Sequence, residues 1–166
     1  MNINLSSKIA QNNLRFKGTK DVLIVDHKQN NLDYNYRFTM DALGTDYTFY
    51  RAGSGKDGLE IAKRVKPALT VSCYNFNDIN PKKFFEELHK LGSKVLVLSS
   101  YCCDDGDRSR KAGKKLIEDS AGADKYVYGG GFKEKGDINM FFKSVKALAK
   151  GEKPPEYTFP YNDSKL

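Results

Sequence analysis

The sequence has no long apolar run. Its longest aliphatic stretches, Val22 to Val25 and Val95 to Leu98, fall far short of the roughly 18–20 residues that a membrane-spanning helix requires, so no transmembrane segment is expected. Residues Met1 to Gln11 carry neither an apolar block nor a small-residue cleavage site, so no secretory signal is read and a cytoplasmic location is expected. Cysteine is scarce. The three that occur, Cys73, Cys102 and Cys103, are odd in number and lack a framework spacing, which excludes a disulfide scaffold and implies free thiols in a reducing compartment. The Gly129-Gly130-Gly131 run has neither the G-x-G-x-x-G nor the Walker spacing, and there is no internal repeat or low-complexity tract. The C-terminal Ser164-Lys165-Leu166 matches a peroxisomal address, but nothing else in the sequence points to a eukaryotic setting, and it is read as coincidence.

What is present suits one globular domain with tails: 166 residues, 39% hydrophobic and 30% charged. Lysine and arginine outnumber aspartate and glutamate by 28 to 21, for a formal charge of +7. Such an excess favours acidic partners or nucleic acid where it is concentrated on one face. Residues 1–19 are polar and aperiodic and read as an arm, residues 20–150 as the domain, and 151–166 as an extended tail.

Within the domain, strand and helix signals alternate. Val22-Leu23-Ile24-Val25 reads as a strand buried on both faces. A helix from about Asn30 to Leu43 follows, with Leu32, Tyr36, Met40 and Leu43 expected inward and Gly44 closing it. Tyr47 to Tyr50 is a second strand, and Ser54 caps a helix with the stripe Leu59, Ile61, Ala62 and Val65, ended by Pro67. Ala68 to Ser72 is the third strand, and Pro81 opens a helix containing Phe84, Phe85, Leu88 and Leu91, closed by Gly92. Val95 to Leu98 is the fourth strand and Asp107 to Ser120 the fourth helix. Tyr126 to Tyr128 is the fifth strand, and Asp137 to Lys150 a helix with Met140, Phe141, Val145 and Leu148 inward. Strict alternation implies right-handed crossovers and an α/β, doubly wound parallel five-stranded sheet with helices on both faces. The flavodoxin-like strand order 2-1-3-4-5 is favoured, and chemistry is expected outside the carboxyl ends of the strands: at Asp26, His27, Cys73, Ser99 and the loop after Tyr128.

Several stretches, in this order and spacing, resemble the receiver domain of bacterial response regulators, over about Asp21 to Lys150. Asp21 to Asp26 is similar to the first, CheY-like, receiver strand, which normally ends in two acids that hold Mg²⁺; here His27 follows Asp26. Pro67 to Asn75 is similar to the third strand and its loop, with Cys73 where the family has its phosphoacceptor aspartate. Val95 to Ser100 is similar to the fourth strand and places Ser99 at the phosphoryl-binding hydroxyl. Ala121 to Tyr128 is similar to the approach to the fifth strand, with Tyr126 at the aromatic switch position and Gly129 where the family's lysine would stand.

The resemblance implies a phosphorylation pocket made of Asp26, His27, Cys73, Ser99 and Gly129, and the residues present imply that it is degenerate. Aspartyl phosphate forms when a carboxylate attacks phosphorus while a divalent ion and a lysine neutralise the growing charge. Cys73 offers no carboxylate, His27 replaces a hard oxygen donor, and Gly129 carries no cation. Lys125 and Lys133 are near enough in sequence to reach inward, but a relocated cation does not restore a missing nucleophile. No phosphotransfer is expected.

Other chemistries compete for the same rim. His27, Cys73, Cys102 and Cys103, completed by Asp26 or Asp104, offer ligands for Zn²⁺, Cu⁺ or iron, or a thiol switch; buried cysteines that pack as small apolar groups are the bland alternative. Gly129-Gly130-Gly131 with Lys133 and Lys135 offers an anion-binding concavity, or simply a flexible connection. The loop His27 to Asn31 lacks the small hydroxyl and glycine residues that cradle a flavin phosphate. The fourth helix carries Arg108, Arg110, Lys111, Lys114 and Lys115, with Arg108, Lys111 and Lys115 on one stripe. In the family this face docks partners, so a protein partner or a homodimer is expected here; a nucleic-acid role is disfavoured because no aromatic residues interleave the basic run. Tyr157, Phe159 and Tyr161 lie among Pro154, Pro155 and Pro160 in the tail and are expected to pack back on the domain or to enter a partner. No nucleophile, base and orienting group stand at readable spacing, and no cofactor is expected. The sequence therefore reads as a non-enzymatic, stand-alone pseudo-receiver acting through protein contacts. A thiol or metal sensor and a nucleic-acid-associated regulator are the alternatives.

Overall fold

A computed structural model describes residues 20–100, 106–129 and 135–159. The N-terminal arm, Cys102, Cys103, Asp104, Gly130, Gly131, Lys133, Pro160, Tyr161 and the terminal Ser164-Lys165-Leu166 lie outside the described residues. The strands are β1 (Asp21–Val25), β2 (Thr48–Ala52), β3 (Leu69–Ser72), β4 (Lys94–Ser99) and β5 (Lys125–Tyr128). The helices are α1 (Gln29–Leu43), α2 (Gly55–Val65), α3 (Pro81–Lys90), α4 (Gly106–Gly113) and α5 (Lys135–Ala149). All pairings are parallel, in the order β2-β1-β3-β4-β5, as the alternating pattern predicts.

Side-chain alternation along the strands divides the core in two. Val22, Ile24, Leu69, Val71, Leu96 and Val127 face α1 and α5, where Leu32, Met140, Phe141 and Val145 meet them. Leu23, Val25, Val95, Val97 and Tyr126 face the other way, onto Ala62, Phe84, Phe85, Leu88 and Ile117. A sheet apolar on both faces is what produces continuous, rather than alternating, aliphatic runs in sequence. Among the described residues, no helix is long and apolar enough to cross a membrane.

Helix starts follow the expected chemistry. The Ser54 hydroxyl accepts the Asp57 N–H at 3.1 Å, and the Asn80 side-chain oxygen accepts the Lys83 N–H at 3.2 Å ahead of Pro81. The buried stripes differ from the expected ones. In α1 the buried residues are Leu32, Asn35, Thr39 and Ala42, with Tyr36 and Leu43 on the flank and Met40 in neither apolar cluster. The helix is turned so that its small and polar residues lie against the sheet. In α2 the buried residues are Gly55, Gly58 and Ala62, while Leu59, Ile61 and Val65 are half-buried. A Cβ on Gly58 would meet Val25 at 3.0 Å, so this face is chosen by closeness of approach and not by side-chain size.

The fourth helix is not α-helical throughout: α4 passes at Lys114 into a π-helical stretch, Lys114–Ser120. Gly113 at the junction gives room to the Tyr126 ring, which a Cβ there would meet at 2.1 Å. The tail returns over the edge of β5. The Tyr157 side chain is buried among Tyr128, Arg110 and Asp137, and Phe159 packs partly against the α1–α5 core, so these two tail aromatics fold back on the domain.

Candidate functional site

Three backbone bonds carry the sheet one residue beyond its strands and fix the level of its carboxyl rim. The Asp26 N–H donates to the Ala52 carbonyl at 3.2 Å, the Cys73 N–H to Val25 at 3.0 Å, and the Gly129 N–H to Ser99 at 3.0 Å. Because Val25 is in register with Ser72, and Ser99 with Tyr128, the residues that follow face one another. Asp26, His27, Cys73, Ser99 and Gly129 all line a single cleft of about 620 Å³. Asn31, Tyr34, Asn35 and Phe38 of α1 wall one side, with Tyr74 and Asn75 beyond β3.

Cys73 and Asp26 form the floor and are both buried. The Asp26 carboxylate accepts the Lys28 N–H at 2.9 Å on Oδ1 and the Asn35 amide at 3.4 Å on Oδ2. Burial nevertheless dominates, pushing its carboxyl above the usual range. The Cys73 Sγ lies 3.7 Å from His27 Nδ1 and 3.5 Å from the Asn75 carbonyl, and His27 Nδ1 lies 3.9 Å from Asp26 Oδ1. Burial, reinforced by the nearby Asp26 charge, raises the Cys73 thiol to about 12. At neutral pH it is a protonated thiol and a poor nucleophile.

Among the described residues, Asp26 is the one carboxylate lining the cleft. The donor set of one carboxylate, one imidazole and one thiol does not fit Mg²⁺, a hard ion that takes oxygen ligands in octahedral geometry. Lys28, after β1, is the one lysine among the described residues that lines the cleft; no lysine stands at the end of β5, where Gly129 lies, and Lys125 does not reach inward. Lys125 is fully buried at the opposite end of β5, its ammonium 3.5 Å from Glu156 and 3.6 Å from Glu118, over the Tyr157 ring. Lys133 lies outside the described residues, as do the cysteine and glycine partners that the sequence offered to this rim. Tyr126 is fully buried beneath the cleft, its hydroxyl donating to the Ser99 carbonyl at 3.0 Å.

The five basic residues of the fourth helix do not form one face. Arg108, Lys111 and Lys115 are exposed. Arg110, expected with them, is buried: its guanidinium clasps Asp137 through Nε–Oδ1 at 3.1 Å and an Nη–Oδ2 contact at 2.6 Å, and stacks over Tyr128. Lys114 is half-buried and paired with Glu118 at 2.6 Å and Glu156 at 3.2 Å. The reason is packing: α4 turns Arg110 towards α5, where Asp137 is fully buried and needs a counter-charge. Asn35 and the Arg110–Asp137–Tyr157 cluster were missed in the sequence. The one available signal was polar residues interrupting an inward-facing helical stripe.

No protein-family model matches the chain, and no curated protein matches it in sequence. Solved structures do match its fold. The signal receiver domain of the response regulator NarL from Mycobacterium tuberculosis superposes with a TM-score of 0.58 at 16% identity, over 81% of this chain and 98% of that one. A response-regulator receiver domain from Clostridium thermocellum gives 0.59 at 13% identity, over 78% and 93%. A chemotaxis response regulator from Vibrio cholerae gives 0.52 at 17%, over 77% and 99%. The chain therefore has the receiver-domain fold.

Proposed function

We propose that this domain is a pseudo-receiver: a signalling module that keeps the receiver fold, accepts no phosphoryl group and acts through contacts with a protein partner. The observation that carries the reading is Cys73. At the carboxyl end of β3 it puts a protonated thiol on the cleft floor, where aspartyl phosphorylation needs an ionised carboxylate. His27 stands beside Asp26 where a second metal-holding acid would be needed, and Gly129 at the end of β5 supplies no cation, which leaves Lys28 as the one lysine among the described residues lining the cleft. What supports a protein-contact role is the exposed stripe of Arg108, Lys111 and Lys115, which favours an acidic partner surface.

The test has two arms. Incubation with acetyl phosphate and Mg²⁺, followed by intact-mass measurement, should leave the mass unchanged; a stoichiometric acid-labile adduct would overturn the reading. The triple charge reversal R108E/K111E/K115E should abolish recovery of partners that the native protein retains, while leaving the fold intact by circular dichroism. Binding to duplex DNA with a steep salt dependence, lost in the same variant, would instead favour the nucleic-acid alternative.

A further inference from the structure

We propose that Asp26, His27 and Cys73 form a binding site for a divalent transition metal of the Zn²⁺ class, with its open coordination position facing the cleft. The ligating atoms of the three residues lie within 4.8 Å of one another, with Sγ–Nδ1 at 3.7 Å and Nδ1–Oδ1 at 3.9 Å. Bond lengths of about 2.0–2.3 Å to tetrahedral zinc require ligand–ligand separations of roughly 3.4–3.6 Å. Closing the Sγ–Nδ1 and Nδ1–Oδ1 sides takes shifts of up to about half an ångström, and the third side, within 4.8 Å, takes up to about 1.4 Å, which side-chain rotation supplies. The exclusion of Mg²⁺ and the acceptance of zinc have one cause: exchanging oxygen donors for an imidazole and a thiol softens the site.

The surroundings complete the case. Asp26 is already oriented by the Lys28 N–H and the Asn35 amide, the outer-shell bonding that fixes a ligating carboxylate. Cys73 is held by its N–H to Val25. On binding, the thiol proton passes to solvent and a thiolate–metal bond forms; thiolate and carboxylate together neutralise the 2+ charge, so a buried floor takes up the ion without net charge. His27 is about one quarter exposed, with its side chain 26% accessible, and gives the ion its route in. The site does not depend on the signalling role: a domain that docked no protein would still bind the ion.

The test uses the full chain without an affinity tag, in a Cys102→Ser/Cys103→Ser background so that one thiol remains. Anaerobic titration of the metal-free protein with Co²⁺ should develop a thiolate-to-cobalt charge-transfer band that Zn²⁺ removes by displacement and excess Mg²⁺ does not. The band should be absent in Cys73→Ala. Zn²⁺ affinity should fall in His27→Ala and, through the outer shell, by about 10–100-fold in Asn35→Ala, all with native circular dichroism. Zn²⁺ should also raise the Tm of the background protein and leave that of Cys73→Ala unchanged. No charge-transfer band with the thiol still titratable, or a band that survives Cys73→Ala, would overturn the proposal. If Cys73→Ala failed to fold, Cys73→Ser with its weaker oxygen donor replaces it, again with loss of the band expected. Phosphorylation and partner binding are read separately from all of these measurements.

Discussion

At the scale of single residues, the domain places polar groups where a strand end or a helix end lacks a partner. Asp124 is the clearest case outside the cleft. Its carboxylate accepts the Val95 N–H at 2.8 Å and contacts His89 at 2.8 Å and Lys94 at 3.1 Å, joining α3, β4 and the entry to β5. Burial pushes its carboxyl up, but His89, the Val95 N–H and Lys94 together outweigh that and hold it below the ordinary carboxylate value of 3.8. A group depressed in the folded state contributes stability that is present in full above its unfolded value and disappears as the pH falls through the folded one. Asp124→Asn should therefore destabilise the protein by about 1–2 kcal/mol at pH 7. The difference from the native protein should shrink once the pH drops below 3.8; urea denaturation at both ends of that range measures it. A constant difference across the range would show that hydrogen-bond geometry, and not charge, is what Asp124 supplies.

At the scale of elements, the fourth helix diverges furthest from its sequence pattern. Periodicity treats Asp107 to Ser120 as one amphipathic helix with basic residues outward, whereas it divides at Gly113 into α-helical and π-helical parts. The division brings Glu118 to the Tyr126 N–H at 2.7 Å and leaves room for the Tyr126 ring. It also accompanies the inward turn of Arg110. That residue is invisible to periodicity because its partner Asp137 is 27 residues away and on another element. Removing one member of such a pair leaves an uncompensated buried charge, so Arg110→Met should cost about 3–5 kcal/mol. Replacing both, as Arg110→Met with Asp137→Leu, should recover most of that loss. Denaturant midpoints of the two singles and the double decide the matter; a double variant as unstable as the worse single would mean that the ion pair, and not the packing around it, holds α4 to α5. By contrast α3 buries Phe84, Phe85 and Leu88 as expected, with the fourth expected residue, Leu91, half-buried at its C-cap, because Asn80, Pro81 and the Phe84-Phe85-Leu88 stripe all specify the same helix locally.

At the scale of the whole molecule, the tail acts as part of the domain. β5 is an edge strand, and its two outward N–H groups, Tyr126 and Tyr128, are taken by the Glu118 carboxylate and the Tyr157 hydroxyl. Burial pushes the Tyr157 phenol up, so it remains a donor to Asp137 at 2.9 Å while accepting from Tyr128. An edge whose N–H groups are occupied is a poor template for another strand. Deleting residues 152–166 should lower the stability, expose the β5 edge and raise the apparent mass in sedimentation in a concentration-dependent way; a truncated chain that stays as stable and monomeric as the full one would remove this role from the tail.

The sequence by itself determined the architecture. Aliphatic runs of strand length alternating with helical stripes permit few arrangements, and the parallel sheet with a crevice at its carboxyl ends follows from chirality and burial. It also determined where β1, β3 and β5 end, and hence that Asp26, Cys73 and Gly129 follow them at the cleft, while β2 runs two residues and β4 one residue past the expected ends. Only the tertiary structure decided which helix faces turn inward, which lysines and arginines are surface charges, and that an imidazole, a thiol and a carboxylate lie within 4.8 Å of one another. Those outcomes depend on distances between segments remote in the chain, and sequence spacing carries no information about such distances until the sheet has brought its strands together.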